Sequence, residues 1–502
     1  MVAPELEKEV RYENHEIVGS KSESKSDVDS DITQDWTLEE ETALRHKIDR
    51  RIVPLVTILY LLCFLDRVNI GNARIQGLAR DLDLNKGVRF NWALSIFYII
   101  YLLFEVPSNI VLKRVGPRFF LPLLVVGFGL VSMCTAFVTS FSGLMVCRVF
   151  LGIFEGGAMP GMAFFLSTFY RREELLFRVG IYVSAASMAG AFGGLLATGF
   201  SKIPAWGAHS MIIHEWRNIF FFEGIITMII GLLAPIWMPH SPETAKFLSA
   251  RERHIAAARL VIEHKANPAE RVTWAHIRRA VFCIHNYTCA LGFFLINITV
   301  QGLSVFMPTI LNDMGWKNTI QVQLMTVPVY AAACIMAIAV AYVSDKTKRR
   351  GVYLAGFSTL SAVGFALLRW HTDKHIRYMA VFFVCVGAFP GGPGFLSWGI
   401  NNSAGPAVRA VSSAYIVTLG TAGGIVATWT YVQKDAPKYH TGHTINLVGQ
   451  IVVVVLSIWG ILYCKWENRQ REAGRRDRRL DGLTAAQEMD LGYRHPNFKF
   501  IT

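Results

Sequence analysis

Five ionisable residues fall inside long apolar runs of this chain: Asp66 and Arg67 in the first, Glu105 in the second, Arg148 and Glu155 in the fourth. In hydrocarbon each would cost roughly 2.5 to 3.5 kcal/mol at the centre of an isolated helix, so they must pair or face a wet cavity. Such a set does not suit bond cleavage. It suits exchange of partners: a carboxylate that shares an arginine with a visiting anion takes up and releases a proton, while the guanidinium offers a planar fork to a carboxylate. Arg148 and Glu155 are seven residues apart, two helical turns, and project from one face about 10 Å apart along the axis. With Asp66 about 20 Å in from one surface and Arg148 about 8 Å from the other, their depths nearly coincide in a core of about 30 Å. Asp66 or Arg67 is therefore expected to meet Arg148, with Glu155 near the midplane.

The elements that must hold these residues are membrane helices. Charged residues make up only 17% of the 502 and hydrophobic ones 52%, and mean hydropathy is +0.35. These values point to lipid as the main solvent. A net charge of +13 is gathered in short clusters between apolar runs, with no continuous basic face, which excludes a nucleic-acid partner. With a requirement of about 20 apolar residues per crossing, the chain holds twelve candidate spans, starting near Ile52, Trp92, Phe119, Leu144, Phe177, Ile219, Val281, Val322, Val352, Ile376, Ala407 and Ile445. An even number puts both termini on one side. Basic connectors after the even-numbered spans make that side cytosolic, although a first outer loop carrying Arg74, Arg80, Lys86 and Arg89 runs against the trend. The eight cysteines lie in apolar runs without metal-ligand spacing and read as small hydrophobes.

A long polar connector divides the spans six and six, and the halves echo each other. GAFGG at Gly190 recurs as GTAGG at Gly420, 230 residues on; EGGAMPG ending at Gly161 is answered by FPGGPG ending at Gly394; and Lys113 of LKRVGPR matches Asp345 of SDKTKRR, 232 residues on. Three concordant offsets indicate a parallel repeat of six-helix units. The expected organisation is a disordered cytosolic tail over 1–48, helical bundles over 49–238 and 281–466, a cytosolic loop over 239–280 between them, and a basic cytosolic tail over 467–502. The second half carries no comparable deep charge. It offers amides and aromatic rings, so Asn297, Gln301, Trp398 and Asn401, with Asn69 of the first span, are the neutral candidates for substrate contact. Glu223, a turn inside span 6, reads as structural, with a partner near the membrane face.

Where the charges lie, the sequence resembles a known family. LDRVNIGNAR from Leu65, ALSIFYIIYLLFEVPSN from Ala93, RVFLGIFEGGAMPG from Arg148, MPHSPETAKFL from Met238 and DAPKYHTGH from Asp435 are similar to the fungal allantoate, nicotinate and pantothenate permease group of anion:cation symporters, within the major facilitator superfamily. The resemblance covers residues 48 to 466. It implies an all-α membrane protein with the superfamily fold, twelve transmembrane helices in two pseudo-symmetric bundles, working by alternating access in the plasma membrane. It further implies uptake of a small organic anion with protons, no cofactor or metal, and a monomer. By the same resemblance Asp66, Arg67, Arg148 and Glu155 carry substrate and proton; we expect Arg67 and Arg148 to contact the carboxylate, Glu155 to carry the proton with Asp66 as its modulator, and Glu105, near the cytosolic end of span 2, to be a further proton-coupling candidate. Lys113, Arg114, Arg118, Asp345, Arg349 and Glu243 form the gates. Lys113 departs from the superfamily pattern, which has an acidic residue there, and leaves the first gate's partners open. Export of an anionic metabolite and non-transporting nutrient sensing are the alternatives. An enzyme is disfavoured, since no nucleophile–base pair, metal set or phosphate loop is evident.

Overall fold

The computed structural model describes residues 35–208, 211–266, 273–316, 318–404, 406–482 and 491–502; the expected disorder of the first 34 residues lies outside these. Among the described residues twelve helices are long and apolar enough to cross a bilayer. Spans 1 to 6 are Leu38–Asp81, Arg89–Leu112, Pro117–Thr135, Phe141–Ser167, Arg178–Ser201 and Trp216–Trp237. Spans 7 to 12 are Ile284–Asp313, Thr319–Thr347, Arg350–Trp370, Lys374–Asn401, Ala407–Ala427 and His440–Glu472. Their outward faces present Leu103, Val106, Leu232 and Ile236 to the surroundings, as lipid requires.

The two sets of six pack alike. Span 1 lies against span 5 as span 7 lies against span 11, and span 3 against span 6 as span 9 against span 12. The sets meet where span 5 packs on span 8, span 2 on span 11 and span 1 on span 7. The repeated glycines are the reason these approaches are close. A Cβ on Gly194 would stand 2.7 Å from the Gln323 carbonyl oxygen of span 8, and one on Gly424 2.7 Å from the Tyr98 ring of span 2. Small residues let helix backbones approach where no hydrophobic effect drives them together. Near this contact Gln323 accepts from Gln76 (3.1 Å) and Thr198 (3.2 Å). Gly194→Leu should therefore pry spans 5 and 8 apart. We expect a cysteine at Val300, on the central pocket, to be labelled several-fold faster from the end away from the termini; an unchanged rate would refute this role for the glycine.

Both EGGAMPG and FPGGPG break their helices. Span 4 divides at Gly157 into Phe141–Gly156 and Ala158–Ser167, and span 10 divides at Phe389–Pro390 into Lys374–Ala388 and Gly391–Asn401.

Three regions differ from the sequence expectation. First, span 1 begins at Leu38 because Thr37 and Glu40 form a capping box, the T-x-x-E signature of a helix start. Its polar first turns are held by Asp49, which accepts from Arg178 at 2.6 and 2.7 Å, and by Glu41, which lies 2.8 Å from Arg171 and 3.8 Å from the buried Arg259. Second, helix continues into the expected first outer loop, ending at Asp81 after a kink at Gly77, and Arg74 is buried over the Phe90 ring (4.2 Å). Third, the central connector holds helices Ala250–Ala266 and Trp274–Val281, while residues 491–502 fold back onto the second of these helices and onto spans 7, 10 and 12.

Candidate functional site

A cavity of about 590 Å³ opens near Asp345, Arg350 and Tyr353, at the end of the molecule where span 1 begins and span 12 finishes, and runs between spans 5, 8 and 10. It adjoins a pocket of about 90 Å³, and Ser184, Ala337 and Pro393 lie on the wall of both. At the pocket wall stands Arg67. Its Nε donates to Glu155 Oε2 at 2.6 Å, and both side chains are buried. The same oxygen lies 3.3 Å from the Cys63 thiol, one helical turn before Arg67, while Glu155 Oε1 has no hydrogen-bond partner among the described residues. Rings of Tyr101, Phe97 and Phe64 surround the guanidinium at 4.7, 5.3 and 5.7 Å, a cage that holds a cation by its quadrupoles without neutralising it.

This pairing differs from the expected contact with Arg148. Consecutive helical residues point about 100° apart, so Asp66 turns away from Arg67 and accepts instead from Ser132 of span 3 (2.7 Å). Arg148 is 4% exposed, makes no hydrogen bond or ion pair among the described residues, and lies within electrostatic reach of Asp66, Glu155 and Tyr98. Tyr98 in turn donates to Gln301 on the pocket wall (2.9 Å). Matching depth brings charges to one level of the membrane; it does not select which of them touch.

The other expected residues divide. Asn297 and Gln301 line the pocket, and Asn297 donates to the Gly420 carbonyl (2.7 Å). Asn69 is fully buried near the charges, with neither amide atom bonded among the described residues. Glu105 is half-buried, one turn past Tyr101, with Oε2 unpartnered among the described residues. Trp398 and Asn401 are not on the pocket wall. The Trp398 indole N–H donates to the Ile501 carbonyl (2.8 Å), and Asn401, with its amide oxygen turned to Arg350, accepts from Nε and an Nη at 3.0 Å each. Glu223 is buried without the expected partner; neither carboxylate oxygen is bonded among the described residues. Around the cavity mouth Asp345 pairs with Arg350, whereas its neighbour Arg349 is exposed. Arg114, Arg118 and Glu243 form no ion pair among the described residues, and the Lys113 side chain lies outside them. Sequence reading missed Tyr60, Phe64 and Tyr101, although Tyr60 and Phe64 precede Arg67 by seven and three residues and so share its helical face.

Away from the termini the passage is sealed. Arg74 donates to Gln433, Asn91 to the Thr428 carbonyl (2.6 Å), Ser95 and Thr428 hydroxyls meet at 2.6 Å, and Trp92 stands edge-on to Trp429. A buried polar site between two similar six-helix bundles, with a cavity opening at one end and contacts between the bundles at the other, is the architecture of a membrane transporter.

Comparison with known proteins gives the same class. The sequence pattern of the Major Facilitator Superfamily matches residues 56–428, and the chain belongs to that superfamily. It is 34% identical over 421 residues to an uncharacterized transporter of Schizosaccharomyces pombe, covering 83% of each. It is 30% identical over 461 residues to the high-affinity nicotinic acid transporter of Saccharomyces cerevisiae, covering 92% of this chain and 85% of that one. The fold is also that of the xylose transporter XylE from E. coli in an inward open conformation (TM-score 0.62, 15% identity, 80% and 94% covered). A bacterial homologue of the lysosomal transporter Spinster in an inward-facing state gives TM-score 0.60 at 15% identity, with 85% and 97% covered.

Proposed function

We propose that this transporter is a proton-coupled symporter of the anion:cation symporter group that imports a small organic carboxylate by alternating access. The observation that carries this reading is the Arg67–Glu155 pair: a cation on the pocket wall is held by a carboxylate whose second oxygen has no partner among the described residues. When that carboxylate takes a proton it loses its hold on the guanidinium, and the substrate carboxylate replaces it as a two-oxygen partner of the Arg67 fork. Proton and anion thus bind cooperatively, and couplings of this kind are typically about 1 to 3 kcal/mol. Arg148, buried without a hydrogen bond or ion pair among the described residues, serves as the second cation once the sealed end begins to open, and Asp66 modulates it. Phe64, Tyr101, Phe293 and Phe389 on the wall suit a flat ring attached to the acid group, in keeping with the name of the yeast relative. By the positive-inside rule the end carrying both termini faces the cytosol of a plasma-membrane protein, and the open cavity belongs to its inward-facing state. The two six-helix sets then act as the moving units, with Asp345 and Arg350 at the inner gate. Uptake of labelled nicotinate in a yeast strain without its own transporter, with a panel of competitors, tests the substrate class. Ring carboxylates should compete and their neutral amides should not; equal competition by the amides would overturn the anion assignment.

A further inference from the structure

The chain's last described segment is held by side chains through its backbone. Asn402, at the end of the half-helix Gly391–Asn401, donates to the Ile501 carbonyl (2.9 Å) and accepts from the Ile501 N–H (2.8 Å). Asn468 of span 12 makes the same reciprocal pair with Phe500, at 2.9 Å each way. Trp398 adds a second donor to the Ile501 carbonyl, and Arg471 donates to the carbonyls of Tyr493 (2.9 Å) and Phe498. The Phe500 ring, 5% exposed, lies under the Arg471 guanidinium (4.6 Å) and beside His285 of span 7 (6.2 Å). Two asparagines on different spans, each satisfying both backbone groups of one residue, act as a strand edge would toward an extended peptide. An aromatic pocket between them sets register.

The half-helix that carries Asn402 also carries the passage wall. Gly391, Gly394 and Ser397 line the 590 Å³ cavity, and Trp398, the next residue, lies about 100° round the helix on the tail. Its ring packs against Gly351 of span 9 and Gly460 of span 12. We propose that Trp398, Asn402, Asn468 and Arg471 form a peptide-binding site, filled here by residues 498–501, and that a filled site holds the half-helix against span 12, back from the passage. Emptying it lets the half-helix move inward and narrows the open end. The proposal uses the passage itself and is independent of the anion and proton assignments.

Protein lacking residues 491–502, in lipid nanodiscs, is titrated with a fluorescent peptide of that sequence. Saturable binding to the shortened chain is expected, weakened at least tenfold by Asn468→Ala or by Phe500→Ala in the peptide, and absent from the full chain, whose site is occupied. No saturable binding, or binding indifferent to Asn468→Ala, overturns the site. Coupling to the passage is read in the full chain carrying Ser397→Cys, as labelling by a membrane-impermeant thiol reagent above the parent's background. Adding Asn468→Ala or Phe500→Ala should slow it several-fold. An unchanged rate overturns the coupling even where the shortened protein does not fold.

Discussion

Arg67→Ala is expected to lower kcat/KM for uptake by at least 100-fold, the largest loss of any single substitution in the passage. A charge-assisted hydrogen bond contributes about 1.5 to 3 kcal/mol, and the Arg67 fork can make two to a carboxylate. Arg67→Lys keeps the charge but loses the planar fork that lies among Tyr101, Phe97 and Phe64, so KM should rise about tenfold with a smaller change in kcat. The competing explanation is that Arg67 and Glu155 are a fixed clamp between spans 1 and 4. A buried pair is weak evidence for stability, whereas removing one partner alone leaves the other as an uncompensated buried charge. The double variant Arg67→Ala/Glu155→Gln should accordingly regain thermal stability while remaining inactive. If it regains uptake as well, the pair is structural and the anion binds elsewhere.

Glu155→Gln is expected to separate transport from its driving force. The amide imitates the protonated carboxyl in size and charge, and Arg67 is released from its ion pair permanently. Exchange of labelled for unlabelled substrate across a vesicle should stay within about threefold of the parent. Accumulation under an imposed proton gradient should fall to simple equilibration, and the pH dependence of exchange should flatten, since the group whose ionisation competes with the substrate is gone. Proton-driven accumulation at the parental level in this variant would remove Glu155 from the coupling step. A change confined to melting temperature would reduce Cys63, Arg67 and Glu155 to a packing cluster.

The sequence alone determined the number of crossings, the repeat and the burial of Asp66, Arg67, Arg148 and Glu155, because each follows from a local property. A run of about 20 apolar residues has lipid as its best solvent wherever it occurs, and an ionisable group inside one is costly whatever its neighbours. Tertiary structure alone decided who meets whom. It gave Glu155 to Arg67, left Arg148 unpaired, turned Asp66 to Ser132, and took Trp398 and Asn401 from the pocket to the tail and to Arg350. It also joined Tyr60, Phe64 and Tyr101 to the pocket and carried Phe500 back onto spans 7 and 12. Hydropathy sets how deep a residue lies, but rotation of each helix about its axis is set by side chains packing against other helices. A turn of 100° separates Asp66 from Arg67 and Ser397 from Trp398, enough to put neighbours in sequence into different chemistry.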